Sequence, residues 1–481
     1  MSATLAALLL TSLTTWPATP TAPSPAVTSS PAAEAACSGA AGDFDGDGRA
    51  DLAVAAPYAT VGGHARAGAV TLLYGSGRRA ELSQDSPGVP GEAEPGDSFG
   101  SALATGDFDG DGCADLAVGA SEEFHGRPVA GADGHGVVQL FTGSPTGLRP
   151  GPALRAPKAA SDRYGAALAA GNLDRDRADE LAIGAPTHGS GGAVFLYGMR
   201  GLTRLTQATG WIGQQGRVTD QWGAALATGD FDGDGRAELA VGAPADSLTH
   251  DGQGSVTIVS GRRALLLTQD SRALKGSAEK WDAFGAALTT GDFDADGRAD
   301  LAVGSPGEGL TANQRALDYG DGMVHVLYGT RSGLAAGRRE AWTQNALDGK
   351  PRYFDRFGTS LAAGDLNGDG DDELAVGVPG ESAVQVLAGT RSGGLTRRGN
   401  LLLKGPGADF GSALTVTRLS GRGYRALGLA RPLASLVVAA PARGTVSVLP
   451  GTRRPGPYAG LRPGAPRKLA GGPGLFGYTF G

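Results

Sequence analysis

Apolar and polar positions alternate in short runs along the whole chain, and the runs return in a fixed order. One run has period two, with Val70 and Leu72, Val138 and Leu140, Val194 and Leu196, Val256 and Ile258, Val324 and Val326, Val384 and Val386, and Val446 and Val448 on one side of a strand. A second is almost continuously apolar, of the form Leu-Ala-Val-Gly-Ala-Pro, and ends at Pro57, Ser121, Pro186, Pro244, Pro306, Pro379 and Pro441. A third opens on an aromatic followed by glycine, at Phe99, Tyr164, Trp222, Phe284, Phe357, Phe410 and Phe476. Each marker occurs seven times, and the 384 residues from Pro57 to Pro441 contain six intervals, a period of 64.

Each unit predicts four short strands. In the second copy they are Phe99 to Phe108, Asp115 to Ala120, Val137 to Phe141, and a less regular outer segment. Elsewhere that outer segment carries a glutamine, at Gln84, Gln207, Gln269 and Gln344. Strands that return every 64 residues form either a solenoid or a β-propeller, and radial closure protects the sheet edges that a solenoid would expose. The chain ends support closure. Phe476 to Gly481 align with Phe99 to Ala104, while the first acidic motif resumes at Gly42, so the last residues supply the start of the first inner strand. The expectation is an all-β, seven-bladed β-propeller of four-stranded antiparallel blades, spanning 37–481 and closed by pairing of its two ends.

Composition agrees. Glycine is 82 of 481 residues, far above its usual share of about 7%. The basic residues form no block or stripe and the net charge is -7, which argues against nucleic-acid binding. Residues 1–36 read as an export leader. They hold an apolar run from Ala3 to Leu10, a Pro- and Thr-rich stretch, and the small-x-small triplet Ala33-Glu34-Ala35, although no Lys or Arg precedes the apolar run. No stretch reaches the ~20 apolar residues of a membrane span.

Between the first and second strands of six repeats lies Asp-x-Asp-x-Asp-Gly-x-x-Asp/Glu. The loops read Asp43, Asp45, Asp47, Arg49, Asp51; Asp107, Asp109, Asp111, Cys113, Asp115; Asn172, Asp174, Asp176, Ala178, Glu180; Asp230, Asp232, Asp234, Arg236, Glu238; Asp292, Asp294, Asp296, Arg298, Asp300; and Asp365, Asn367, Asp369, Asp371, Glu373. Carboxylates at positions 1, 3 and 5 of a tight loop converge, the main-chain carbonyl of position 7 joins them, and position 9 adds a carboxylate. That oxygen set suits Ca²⁺, which takes six to eight ligands at about 2.3–2.6 Å. Glycine at position 6 permits the turn, but the third loop has Arg177 there and Asn172 at position 1. Five Ca²⁺ sites are therefore expected, the third loop being the odd one. The seventh repeat, around Val416 to Arg431, lacks the carboxylates. Five bound Ca²⁺ would reverse the sign of the net charge, and such low-affinity loops fill outside the cell, where calcium is abundant.

These residues resemble the FG-GAP repeat family, the units of the integrin α-subunit propeller and of many secreted bacterial proteins. The resemblance runs from Gly42 to Gly481. It implies a seven-bladed propeller with Ca²⁺ between the first and second strands of its blades. It also implies an extracellular adhesion or ligand-binding role.

Other chemistry is thin. Gly96-Asp97-Ser98-Phe99-Gly100 fits the nucleophile elbow of serine hydrolases, but the place of Ser98 is taken by Arg163, Gln221, Ala283, Arg356 and Asp409 in other repeats. The six histidines show no metal-ligand spacing, and His325 sits at a polar strand position expected to be half-exposed. Asp97, Asp162, Asp220, Asp282 and Asp355, each two before the aromatic, read as turn formers that bond nearby amides. Cys37 precedes the first acidic loop and Cys113 occupies position 7 of the second, either as a disulfide between neighbouring blades or as two separate thiols. The first–second loops keep constant length, whereas the second–third loops on the opposite face vary, and 122–136 and 307–322 are the long ones. Variable loops on a rigid scaffold carry binding, so a protein or glycan ligand is expected there, on a monomer. The alternative is a secreted hydrolase with an active site built from the same mouth loops.

Overall fold

The computed structural model describes residue 37 and residues 42–124, 134–157, 162–198, 201–272, 274–310, 320–334, 337–420, 433–453, 459–461, 466–471 and 477–480. Each repeat forms one antiparallel sheet with its strands in sequence order, and seven such sheets form the blades of a β-propeller. Blade 2 shows the pattern, with strands Phe99–Gly106, Asp115–Ala120, Val137–Thr142 and Arg149–Leu154. Among the described residues the only helical structure is in single 3-10 turns.

A blade in a propeller is covered on both faces by its neighbours. Its second strand is accordingly buried at every residue, in Asp115–Ala120 as in Asp300–Ser305 and Glu373–Val378. The outer strand, by contrast, alternates between exposed and half-buried in Arg79–Leu82. This geometry corrects one expectation: His325 is fully buried, not half-exposed. Its Nε2 lies 2.8 Å from the Lys275 carbonyl and its ring meets Phe284 edge-on. Burial drives its pKa down to about 4, so it is neutral. Its counterparts Gln139, Thr257 and Gln385 are buried for the same reason; Gln139 Nε2 donates to the Gly151 carbonyl and Gln385 Nε2 to Asn400 Oδ1, while Oε1 of both glutamines meets no donor.

The aromatic of the aromatic-Gly marker fills the space between blades. Phe99 packs with Ala53, Ala55, Val70 and Leu72 of blade 1 and with Leu116 and Val118 of its own blade. Tyr164 repeats this between blades 2 and 3. Fully burying such a ring contributes about 1.5–3 kcal/mol.

The glycines of two markers turn out to be halves of one contact. A Cβ on Gly119 would lie 2.1 Å from the Gly165 carbonyl oxygen of the next blade, and one on Gly304 would lie 2.1 Å from that of Gly358. In turn the Gly358 amide donates to the Gly377 carbonyl within its own blade (3.1 Å). Neighbouring blades thus approach main chain to main chain, which only a residue without a side chain allows.

The ring closes through the chain's end. Blade 1 has Leu52–Ala56, Ala69–Leu73 and Arg79–Leu82, and its inner position is taken by the segment around Thr479. The Ala55 amide donates to the Thr479 carbonyl (3.1 Å), the Gly477 amide donates to the Ala55 carbonyl (2.8 Å), and Val54 bridges to Phe480. Phe476 itself lies outside the described residues, as do 1–36 and 421–432 of the seventh repeat.

Gly304→Ala should lower stability by about 1–3 kcal/mol, through steric overlap alone, because Gly304 has no left-handed backbone to lose. A thermal melt in millimolar calcium measures this, and an unchanged Tm would show that the blades do not meet at this point.

Candidate metal centres on one face of the propeller

In loop 1 the position-1 carboxylate organises the turn before any ion is considered. Asp43 accepts from the amides of Asp47 (3.1 Å) and Gly48 (2.8 Å), and Asp47 accepts from the Arg49 amide. Loops 2, 4 and 5 repeat these bonds at Asp107, Asp230 and Asp292. Position 6 is left-handed as expected, with φ between +80° and +94° at Gly48, Gly112, Gly235, Gly297 and Gly370.

The position-9 carboxylate has a role that spacing did not reveal. Asp51 is buried and accepts from the Phe44 amide and from Gly75, just past the third strand of the blade (2.8 Å each). Asp115 holds Phe108 and Gly143, and Asp300 holds Phe293 and Gly329, in the same way. This residue therefore clamps the loop to the sheet. Each of its oxygens keeps a second lone pair for an ion.

The result is negative charge held close together. One carboxylate oxygen from each of Asp43, Asp45 and Asp51 lies within 4.8 Å of the others, and likewise for Asp107, Asp109 and Asp115, and for Asp230, Asp232 and Asp234. Burial, with neighbouring carboxylates adding to it, pushes Asp51, Asp115 and Glu238 up to about 7, Asp300 to about 8 and Glu373 to about 9. At position 3, Oδ1 of both Asp45 and Asp294 is buried with no hydrogen-bond donor. A buried anionic oxygen without a donor is costly, and a cation is the partner that suits it. The donor set fits Ca²⁺. Arginines supply part of the compensation. Arg49 pairs with Asp47 and Arg298 with Asp296, while Arg78, lying over the Tyr74 ring, reaches Asp45 at 3.4 Å. The side chain at position 7 thus turns back to position 5 where its carbonyl was the expected contribution.

Loop 3 differs. Asn172 Oδ1 accepts from the Arg175 amide and its Nδ2 donates to the Asp176 carbonyl, and Arg175, not position 6, is left-handed. Asp174, Asp176 and Glu180 still converge. In loop 6, Asn367 donates to Glu373 Oε1 (2.8 Å), while the Glu373 carboxylate accepts from the Leu366 amide.

The loops are also linked to one another. The position-8 amide of each loop donates to the position-1 carbonyl of the loop before it: Ala114 to Asp43, Asp179 to Asp107, Ala237 to Asn172, Ala299 to Asp230 and Asp372 to Asp292, at 2.7–3.3 Å. Six acidic loops thereby form a continuous belt on one face. At its start a disulfide joins Cys37 to Cys113, Cα atoms 5.0 Å apart, which settles the pairing left open above.

The opposite face holds a second repeated constellation that sequence reading took only in part. The aspartates before the aromatic do bond nearby amides, Asp97 to Glu94 and Asp355 to Arg352. Four of them also face a group three residues past the end of the second strand. Asp97 faces Glu123, which accepts from Gln84 Nε2 of the preceding blade (2.7 Å). Asp355 faces Glu381 and Asp220 faces Asp246. In blade 3 the partner is His188, whose Nδ1 is 2.9 Å from Asp162, and in the preceding blade Ala156 stands where blades 1, 3, 4 and 5 carry the glutamine. A signal was available in the residue two past the end of each Leu-Ala-Val-Gly-Ala-Pro marker, which is acidic or histidine in five copies. Ser98 belongs to this turn, its hydroxyl donating to the Gly96 carbonyl (3.1 Å) and its φ being +60°.

Burial, then the Glu123 charge, push Asp97 up to about 7, with Glu94 adding to this. An acid raised on folding contributes fully below its ordinary value of 3.8, and that contribution is lost progressively as pH climbs from there to about 7. Asp97→Asn keeps the amide acceptor and cannot ionise. Its Tm relative to wild type should rise with pH from about 4 to 7, being higher at pH 8 than at pH 4 by about 2 °C, in calcium throughout. A gap that does not widen with pH would show that the pair holds no proton.

Comparison with known proteins now has a geometry to rest on. A family model described as "FG-GAP repeat" matches residues 38–73, 99–138, 222–259, 284–327 and 357–395, which are blades 1, 2, 4, 5 and 6. Blades 3 and 7, outside the match, are those whose acidic loop is altered or lost. Integrin alpha-PS2 of Drosophila melanogaster is 30% identical over 45% of this chain and 15% of its own length. Integrin alpha-X of Mus musculus is 32% identical over 41% and 18%. Phosphatidylinositol-glycan-specific phospholipase D of Bos taurus is 26% identical over 70% of this chain and 42% of its own. The chain thus spans less than half of each of these relatives. The repeated aromatic-Gly contact, the acidic loops and these matches together make the chain a member of the FG-GAP repeat family, with a propeller like that of the integrin α subunits.

Proposed function

We propose that this protein is an exported, calcium-stabilised propeller that binds a protein or glycan ligand through the face opposite its metal loops and performs no chemistry of its own. The observation that carries the calcium reading is the pair of buried Oδ1 atoms, of Asp45 and Asp294, that no donor reaches. Asp43, Asp107, Asp230, Asp292 and Asp365 with their partners at positions 3, 5 and 9 would hold the ions. Arg49, Cys113, Arg236 and Arg298, with Ala178 and Asp371, would offer main-chain carbonyls. The bound ion supplies charge compensation, and the belt of main-chain bonds passes that stiffening from loop to loop.

Export is supported by the Cys37–Cys113 disulfide, since such bonds persist in oxidising compartments, and by residues 1–36 as a removed leader. No helix among the described residues is long and apolar enough to cross a membrane. Ligand binding is placed on the second–third loops and the crossings between blades. The middles of the two long loops, 125–133 and 311–319, lie outside the described residues. The phospholipase name among the relatives favours the hydrolase as second reading. Against it, Ser98 bonds back to its own turn, His325 is sealed in the core, and His188 is engaged with Asp162.

Two measurements test the reading. EGTA should lower Tm by an amount equivalent to about 1–3 kcal/mol per site filled at ten to a hundred times its Kd, and calcium should restore it. A Tm indifferent to EGTA would end the calcium reading. Replacing 122–136 by a two-residue turn should abolish capture on a glycan and matrix-protein array, with the EGTA response intact. Phosphoester or polysaccharide turnover by the wild type would favour the hydrolase instead.

A further inference from the structure

Two exposed aromatics on this ligand face sit on backbone that favours glycine. Trp281 has φ +67° and is 45% exposed, and Phe354 has φ +75° and is 44% exposed. Both stand three residues before the buried aromatic of their blade, on the crossings into blades 5 and 6. In blade 2 that position is Gly96, with φ +102°. The conformation recurs in blades 2, 5 and 6 but not at Thr219 of blade 4 or Gly407 of blade 7, so it goes with a local contact. The Trp281 carbonyl is pressed against Gly307 and the Phe354 carbonyl against Gly380, each so close that a Cβ would lie 1.8 Å away, and the next residue is the anchored aspartate. An L-residue held left-handed costs roughly 1–2 kcal/mol relative to its ordinary conformation. Glycine would escape that cost, yet the chain keeps rings there that leave nearly half of their surface in water. Backbone strain carried by exposed aromatics is the mark of a contact surface.

The surroundings say what the surface meets. Residues 350–356 expose Lys350, Arg352, Tyr353, Phe354 and Arg356 together, with the Tyr353 and Phe354 rings edge to face at 4.2 Å. The acid within the segment, Asp355, is buried, and the exposed Asp348 lies just before it. Lys280, beside Trp281, is exposed and paired with Asp251 at 2.9 Å. A molecule of net charge -7 has gathered cations and flat rings on adjacent blades of one face. Flat rings lie against the apolar faces of sugar rings, and guanidinium groups bind sulfate or carboxylate in bidentate fashion. An enclosed pocket, which a protein partner's anchor residue would need, is not what two rings on separate blades offer.

We infer that Trp281, Tyr353 and Phe354, with Lys350, Arg352 and Arg356, form a docking surface for an extended anionic polysaccharide. This rests on the reading of the face as ligand-binding and specifies its ligand.

The test uses the full chain in millimolar calcium, with dextran sulfate, neutral dextran and poly-glutamate as probes in a binding titration. Wild type should bind dextran sulfate in a salt-dependent way and leave neutral dextran and poly-glutamate unbound. Phe354→Gly should weaken binding about tenfold or more while its Tm stays level or rises, since the strain is relieved. Phe354→Asn, tolerant of the left-handed backbone, serves if the glycine variant folds poorly. Arg352→Ala should weaken binding and flatten its salt dependence. Equal binding of poly-glutamate, no binding of dextran sulfate, or undiminished binding by Phe354→Gly would each overturn the polysaccharide assignment. Matrix proteins captured through 122–136 would leave the broader reading standing in those cases.

Discussion

The blades of this propeller meet main chain to main chain, and that contact sets most of what else the chain must do. Where Gly304 faces Gly358 there is room for a carbonyl oxygen and nothing more. Two glycine-bearing motifs far apart in each repeat are therefore bound to the same event, one supplying the oxygen and the other the space. The buried aromatic beside each glycine fills what remains between the sheets, and hydrophobic burial there holds the contact closed. Since each blade is covered twice, polar residues such as Gln139, Thr257 and His325 are drawn inside, where bonds within the sheet or to a neighbouring turn satisfy them in part.

Close approach at the inner strands brings the first–second loops side by side, and each donates an amide to its predecessor. Charge is the consequence. Carboxylates that shape their own turns by accepting main-chain amides are crowded into a belt where burial raises their pKa values, and arginines answer only part of the charge. The same face thus combines a chain of main-chain hydrogen bonds with crowded negative charge, a combination that suits a divalent cation. On the other face the strain is of another kind, in left-handed aromatics and in carboxyl groups opposed across a turn.

Much of this was legible along the chain. The 64-residue period, the strand limits of the second repeat, the left-handed glycines and the closing role of the last residues all follow from local pattern, because strand alternation and turn chemistry are properties of neighbouring residues. His325 shows where such reading stops. Its neighbours' alternation describes one face of a strand, and nothing local says that the other face is covered too. The Asp97–Glu123–Gln84 group was missed for a related reason, since its members come from three segments and two blades. The clamp made by Asp51 and Asp115 went unread as well, because the amides of Gly75 and Gly143 are 24 and 28 residues away.

What the sequence alone determined is the repeat, the number of blades, the acidic loops and the pairing of the chain's ends, all encoded in spacing and residue type. The tertiary structure alone decided which glycine touches which, how the loops join into a belt, that Cys37 meets Cys113, and which aromatics remain in water. Those outcomes depend on the angle and distance between blades, quantities set by packing around the whole ring and written in no single repeat.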